Sequence, residues 1–206
     1  MARSSSSRRW LKEHRDDPYA RRARREGYRG RAVYKLSELD EKYRLLRPGM
    51  RVVDLGAAPG SWSQYAARRV GARGRVIASD LLELEPIEGV EFVRGDFRED
   101  GVLEALRKAL GGAGAHLVMS DMAPNMSGMD AIDQPASMAL TELAHALAVE
   151  VLESDGTLLT KMFQGEGSDA FVRALRDDFS TVRVRKPAAS RDRSREVYVV
   201  ATGRRR

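Results

Sequence analysis

The stretch Arg51-Val-Val-Asp-Leu-Gly-Ala-Ala-Pro-Gly-Ser-Trp-Ser-Gln64 constrains the fold more than any other part of the chain. Val52, Val53 and Leu55 read as a short buried strand, Gly56 to Gly60 as the turn after it, and Ser61 to Val70 as a helix. Strand, glycine turn and helix make the first βα unit of a nucleotide-binding α/β sheet. Gly56 lets a ligand approach the backbone and Gly60 can take φ > 0. The helix start behind them offers free N–H groups. An ordinary tight βα turn has the same outline, so the intervening residues decide. The dinucleotide pattern Gly-x-Gly-x-x-Gly is absent. Asp54-Leu-Gly-Ala-Ala-Pro-Gly60 is instead the acidic-plus-glycine form that accompanies S-adenosylmethionine (SAM).

The rest of the chain extends that unit into a sheet. Ala32 to Leu46 has helical spacing, with Val33, Leu36, Leu39 and Tyr43 on one face, Lys35 beside it, and Pro48-Gly49 closing it. The second strand, Arg75 to Asp80, ends in a carboxylate 24 residues past Gly56, where an acidic residue reaches an adenosine ribose or simply caps a turn. Val90 to Arg94 is a third strand, and Asp96 in the loop after it can reach an adenine amino group. Val102 to Leu110 reads as a helix and His116 to Asp121 as a fourth strand, again ending in Asp. Ala136 to Leu152 is a long helix broken by Ser154-Asp-Gly156. Gly156 to Phe163 is the fifth strand, Phe171 to Leu175 lies in a helix, Thr181 to Val184 is the sixth strand and Arg195 to Thr202 the last. Repeated β-α with a final hairpin-like pair predicts a single α/β domain. It is a Rossmann-like, mostly parallel seven-stranded sheet with helices on both faces.

Charge divides the 206 residues into two parts. Residues 1–31 hold 11 basic and 4 acidic side chains; the remainder holds 25 and 26. The positive excess therefore sits in an N-terminal arm, 1–31, ahead of the catalytic domain, 32–206. Trp10, Tyr19 and Tyr28 are interleaved with Arg21, Arg22, Arg24 and Arg25, a pattern suited to phosphate contact and base stacking, although charge runs are often only solvated tails. Cysteine is absent, which excludes disulfides, thiolate metal sites and base methylation through a thiol adduct. His14, His116 and His145 make no metal-ligand spacing, so no metal is expected. No apolar run is long enough to span a membrane, and a cytoplasmic monomer is the expectation.

Four polar residues stand where packing alone does not ask for them. Lys161 lies in a strand that should be almost wholly apolar, Glu196 opens another, Asp121 closes a third, and Lys35 flanks a helix face. The loop Asp121-Met-Ala-Pro124 lacks the doubled proline and aromatic of exocyclic-amine methylating enzymes.

With these residues in view, the chain resembles the RrmJ/FtsJ family of ribosomal RNA 2′-O-methyltransferases over nearly its whole length. The resemblance is carried by Arg31-Ala-Val-Tyr-Lys-Leu36, Asp54 to Gly60, Asp121-Met-Ala-Pro-Asn-Met-Ser-Gly128, Lys161-Met-Phe-Gln-Gly-Glu-Gly167 and Ser190-Arg-Asp-Arg-Ser-Arg-Glu-Val-Tyr198. It implies a catalytic tetrad of Lys35, Asp121, Lys161 and Glu196. It also implies SAM contacts at Gly60, Trp62, Asp80, Asp96 and Asp121, to which the reading of the glycine turn adds Asp54 and Gly56. Ser61 departs from the glycine common in the family. The implied substrate is a uridine 2′-hydroxyl in large-subunit ribosomal RNA, and the implied partner the large subunit.

Those residue types suit methyl transfer to a hydroxyl, which is mostly a matter of in-line alignment plus removal of one proton. Lys161 is the candidate base and Lys35 the second cation, with Asp121 and Glu196 orienting them. The alternatives are a transfer-RNA or messenger-RNA-cap 2′-O-methyltransferase, or a non-catalytic RNA-binding assembly factor. The intact tetrad and turn favour catalysis.

Overall fold

The structure, a computed structural model, describes residues 17–205. Strand β1 is Arg51–Leu55, whose last four residues are all buried. It pairs in parallel with β2, Arg75–Asp80, on one side and with β4, Ala115–Ser120, on the other. Outward from β2 lies β3, Val90–Arg94; outward from β4 lies β5, Leu152–Phe163. Strand β7, Glu196–Arg204, inserts antiparallel between β5 and β6, Phe179–Arg185. The order is β3-β2-β1-β4-β5-β7-β6, the seven-stranded, mostly parallel sheet that the sequence predicts.

Strand alternation divides the core between two faces. Val53, Leu55, Val118, Leu158, Val197 and Val199 pack beneath helices α4 (Asp100–Ala109), α5 (Asp130–Val151) and α6 (Ser168–Asp178). Val52, Leu117, Met119, Leu159, Tyr198 and Val200 face α2 (Val33–Tyr43) and α3 (Ser61–Val70). No helix among the described residues is long and apolar enough to cross a membrane.

Two expectations are corrected. Helix α5 begins at Asp130, ahead of Pro135. Buried Asp133 accepts from the Ser127 and Gly128 amides and fixes the preceding loop onto the helix start, so one missing proline N–H does not stop it. Strand β5 begins at Leu152, and Asp155 at φ 65° supplies the kink that reads as a break in sequence.

The second half of the basic N-terminal segment is folded. Residues 18–25 form helix α1 (Pro18–Arg25), capped by Asp17, which accepts from the Tyr19 and Ala20 amides at 2.9 and 3.2 Å. Asp17 also pairs with Arg31 at 2.7 Å, and Arg31 donates to the Ala189 carbonyl. Tyr19 and Tyr28, expected to stack on bases, pack against Tyr34, and Tyr28 also packs against Tyr65. Residues 17–31 are thus docked on the body. Arg21, Arg24 and Arg25 remain exposed. Trp10 and the rest of 1–16 lie outside the described residues.

Candidate functional site

Strand parity builds the site. Asp121 continues the Leu117–Met119 face of β4, and Lys161 continues the Leu159 face of β5. Antiparallel register sets Tyr198 opposite Lys161 and Glu196 opposite Phe163. All four therefore look toward α2, where Lys35 lies in the first turn. The outcome is two ion pairs. Lys35 Nζ stands 2.6 Å from Glu196 Oε1, and Lys161 Nζ stands 3.2 Å from Asp121 Oδ1 while donating to the Asp121 carbonyl at 2.6 Å. Lys161 and Glu196 are each 9% exposed, so both charges are largely removed from water and need these partners.

Tyr198 joins the pairs. Its hydroxyl donates to Asp121 Oδ1, and Lys35 Nζ lies 5.6 Å from its ring centre. Burial, then the Asp121 charge, pushes this phenol well above its ordinary range, so it remains a donor. Sequence reasoning passed over Tyr198 because an aromatic in an inner strand reads as core. Its position two residues after Glu196, on the same face, was the available signal.

Beside the tetrad a crevice of about 670 Å³ opens at the carboxyl ends of β1, β2 and β4. Gly56, Asp80, Asp96 and Asp121 line it, together with apolar Leu81 and Phe97. Each Asp80 carboxylate oxygen accepts one backbone amide, from Ala58 and Leu82 at 2.8 Å each, which fixes the side chain and leaves further acceptor capacity toward the crevice. Asp96 lines the crevice but is held by Arg98, whose Nε lies 2.9 Å from both carboxylate oxygens and whose guanidinium keeps the carboxyl below its usual range. Arg98 went unnoticed in the sequence. Gly56 sits at φ 69°, and a Cβ there would meet Met122 Cγ at 2.4 Å.

The other three predicted residues stand behind the crevice wall. Asp54 is 1% exposed and accepts from Ser63 Oγ at 2.5 Å; burial pushes its carboxyl up to about 7, with Asp121 and Asp80 adding to the effect and Ser63 opposing it. Gly60, at φ 107°, is packed by Ile87 and Leu84. Trp62 is buried, donates Nε1–H to the Ala32 carbonyl at 2.8 Å and packs on Tyr198. It holds α3 against the start of α2, and thereby Lys35, but does not line the crevice.

The crevice suits SAM by its chemistry. Apolar side chains can take a purine, the strand-end carboxylates a ribose diol and a cationic sulfonium, and Ser79 Oγ is a buried crevice hydroxyl with no partner.

Residues 28–204 match the model of the FtsJ-like methyltransferases. The chain belongs to that family. It is 58% identical, over 98% of either chain, to the ribosomal RNA large subunit methyltransferase E of Pseudomonas aeruginosa PAO1. A ribosomal RNA methyltransferase crystal structure from Plasmodium falciparum superposes with a TM-score of 0.78 at 29% identity, covering 86% of this chain and 98% of that one. The MycE methyltransferase of the mycinamycin pathway, at 14% identity and TM-score 0.55, covers 84% of this chain and 47% of its own, and shares the fold. For this FtsJ-like methyltransferase the methyl donor is SAM. Among the described residues no three His, Asp or Glu side chains are grouped to hold a metal ion.

Proposed function

We propose that this chain transfers a methyl group from SAM to the 2′-hydroxyl of a uridine in large-subunit ribosomal RNA, as a cytoplasmic monomer acting on the assembled or assembling subunit. One observation supports it above the others. Two lysine–carboxylate pairs stand at the carboxyl edge of the sheet, and Asp121 belongs both to a pair and to the crevice wall. The names of the relatives point to the same substrate class.

SAM supplies an electrophilic methyl on a positively charged sulfur. The protein's own residues do the rest. Asp80 would hold the adenosine ribose and Asp96 the adenine amino group, with Leu81 and Phe97 offering apolar contact to the purine. Asp121 steers Lys161 through both its carboxylate and its carbonyl, and is itself held by Tyr198. Lys161 first gives up one ammonium proton to solvent, and the neutral Nζ, still oriented by Asp121, then accepts the proton leaving the ribose hydroxyl as the methyl bond to sulfur breaks. Lys35, fixed by Glu196, places a second cation where negative charge grows on the ribose oxygen. Asp54, Gly60 and Trp62 act indirectly, by shaping the glycine turn and seating α2.

The test is ribose-methylation mapping of large-subunit RNA from cells with and without the protein, with purified protein and SAM added back to the unmodified subunits. One 2′-O-methyluridine is expected to disappear and be restored. A methylation map identical in the two strains, with no transfer in the add-back, rejects the reading.

A further inference from the structure

Arg29 reads in the sequence as one more phosphate contact of a basic arm. In the fold its guanidinium is committed to backbone. Nη1 donates to the carbonyls of Pro59 and Glu85 at 3.2 and 2.8 Å, and Nη2 to that of Pro86 at 2.9 Å. The Arg29 amide donates to Gln64 Oε1 at 2.9 Å, which seats the residue on α3.

Those carbonyls belong to two different loops. Pro59 lies in the glycine turn after β1, and Glu85 with Pro86 in the connection from β2 to β3. The same two loops form one wall of the crevice, with Gly56 and Ala58 from the turn and Asp80, Leu81 and Leu82 from the connection. They are joined on the crevice side by the Ala58 amide bonding to Asp80. Arg29 joins them again on the outer side, where Leu84 and Ile87 close over Gly60 and a Cβ at Gly60 would lie 3.2 Å from Arg29 Nη1. A rigid planar fork is the side chain best suited to bridging carbonyls from two segments at once.

We infer that Arg29 is a positioning residue for the cofactor: it sets the spacing between the glycine turn and the β2–β3 connection, and so the affinity for SAM, rather than binding RNA. This rests on the crevice being the SAM site. It also makes part of the N-terminal segment a structural component of the cofactor site.

The experiment uses the full chain with Arg29→Lys and Arg29→Met. SAM binding is measured by calorimetry, RNA binding across a salt series at saturating SAM, and hydrogen exchange of the amides of residues 81–87 other than Pro86. In both variants the Kd for SAM is expected to rise by about tenfold or more. The 81–87 amides exchange faster, while turnover at saturating SAM, RNA affinity and its salt slope stay as in the parent. Lysine keeps the charge but not the fork, so it recovers only part of the affinity, and it remains informative if the methionine variant folds poorly. Unchanged SAM affinity with a shallower salt slope makes Arg29 a phosphate contact and overturns the inference, as does unchanged exchange at 81–87. A parent protein that binds no SAM overturns the cofactor reading instead, and the exchange measurement still judges the clamp.

Discussion

Replacing Lys161 separates proton transfer from positioning. Its ammonium makes two contacts, both to Asp121, and it does not line the crevice. Lys161→Ala leaves Asp121 with the Tyr198 hydroxyl, and the Asp121 side chain is 20% exposed. An uncompensated, fully buried carboxylate would cost about 3–5 kcal/mol. With one donor retained and some water access, the expected loss of stability is about 1–3 kcal/mol, which the fold can absorb. Turnover is a different matter. Loss of a general base costs about a hundredfold to ten-thousandfold, or roughly 3–5 kcal/mol on the barrier. Arginine keeps the positive charge beside Asp121 but cannot accept a proton at working pH, so Lys161→Arg is expected to be as slow as the alanine variant. Single-turnover methyl transfer to unmodified large subunits at saturating SAM reads the rate, and calorimetry checks that the Kd for SAM is unchanged. An arginine variant working at more than about a tenth of the parent rate would falsify the base assignment and leave Lys161 an electrostatic group.

Asp80→Ala removes the acceptor of the Ala58 and Leu82 amides and one crevice carboxylate; the Kd for SAM is expected to rise about tenfold to a hundredfold, read by calorimetry. Tyr198→Phe deletes one hydrogen bond to Asp121 while Lys161 still holds that carboxylate; stability measured in urea is expected to drop by about 1–2 kcal/mol with turnover reduced less than about tenfold. Asp54 keeps its proton up to about pH 7 in the fold but loses it near its ordinary 3.8 when unfolded, a penalty that grows with pH between those values and reaches on the order of 4 kcal/mol above them. Asp54→Asn is therefore expected to be more stable than the parent at pH 7.5, with the gain vanishing by about pH 4; denaturation curves at both pH values decide it, and a pH-independent difference contradicts the buried-carboxyl account.

What was legible in the sequence was local. Asp54 to Gly60 and the helix after it are where the spacing puts them, since glycines and strand apolarity are read within a dozen residues. Lys161 and Glu196 stood out because each interrupts an apolar strand. Less legible was which lysine meets which carboxylate, since that depends on register between segments far apart in sequence. The docking of 17–31 was hidden for a related reason. A basic run reads as solvated unless its partners are known, and here they are Asp17, Glu26 and backbone carbonyls up to 158 residues away. Trp62 belongs with these. The resemblance marked it as a cofactor residue, and the fold uses its indole to seat the helix that carries Lys35.

The antiparallel placement of β7 is what makes the two ion pairs one site. Glu196 and Tyr198 are two apart on one strand, so they share a face, and the register that sets Tyr198 opposite Lys161 brings that face toward α2. A slip of one residue between β5 and β7 would turn Glu196 and Tyr198 to the α5–α6 side, into the face that Val197 and Val199 now occupy, and would bury a carboxylate there without a cation. The same slip would leave Lys35 without Glu196, and Asp121 without its phenol donor. Core packing and ion pairing thus select the same register. Val197, Val199 and Ala201 hold it from below, and the charged pairs hold it from above.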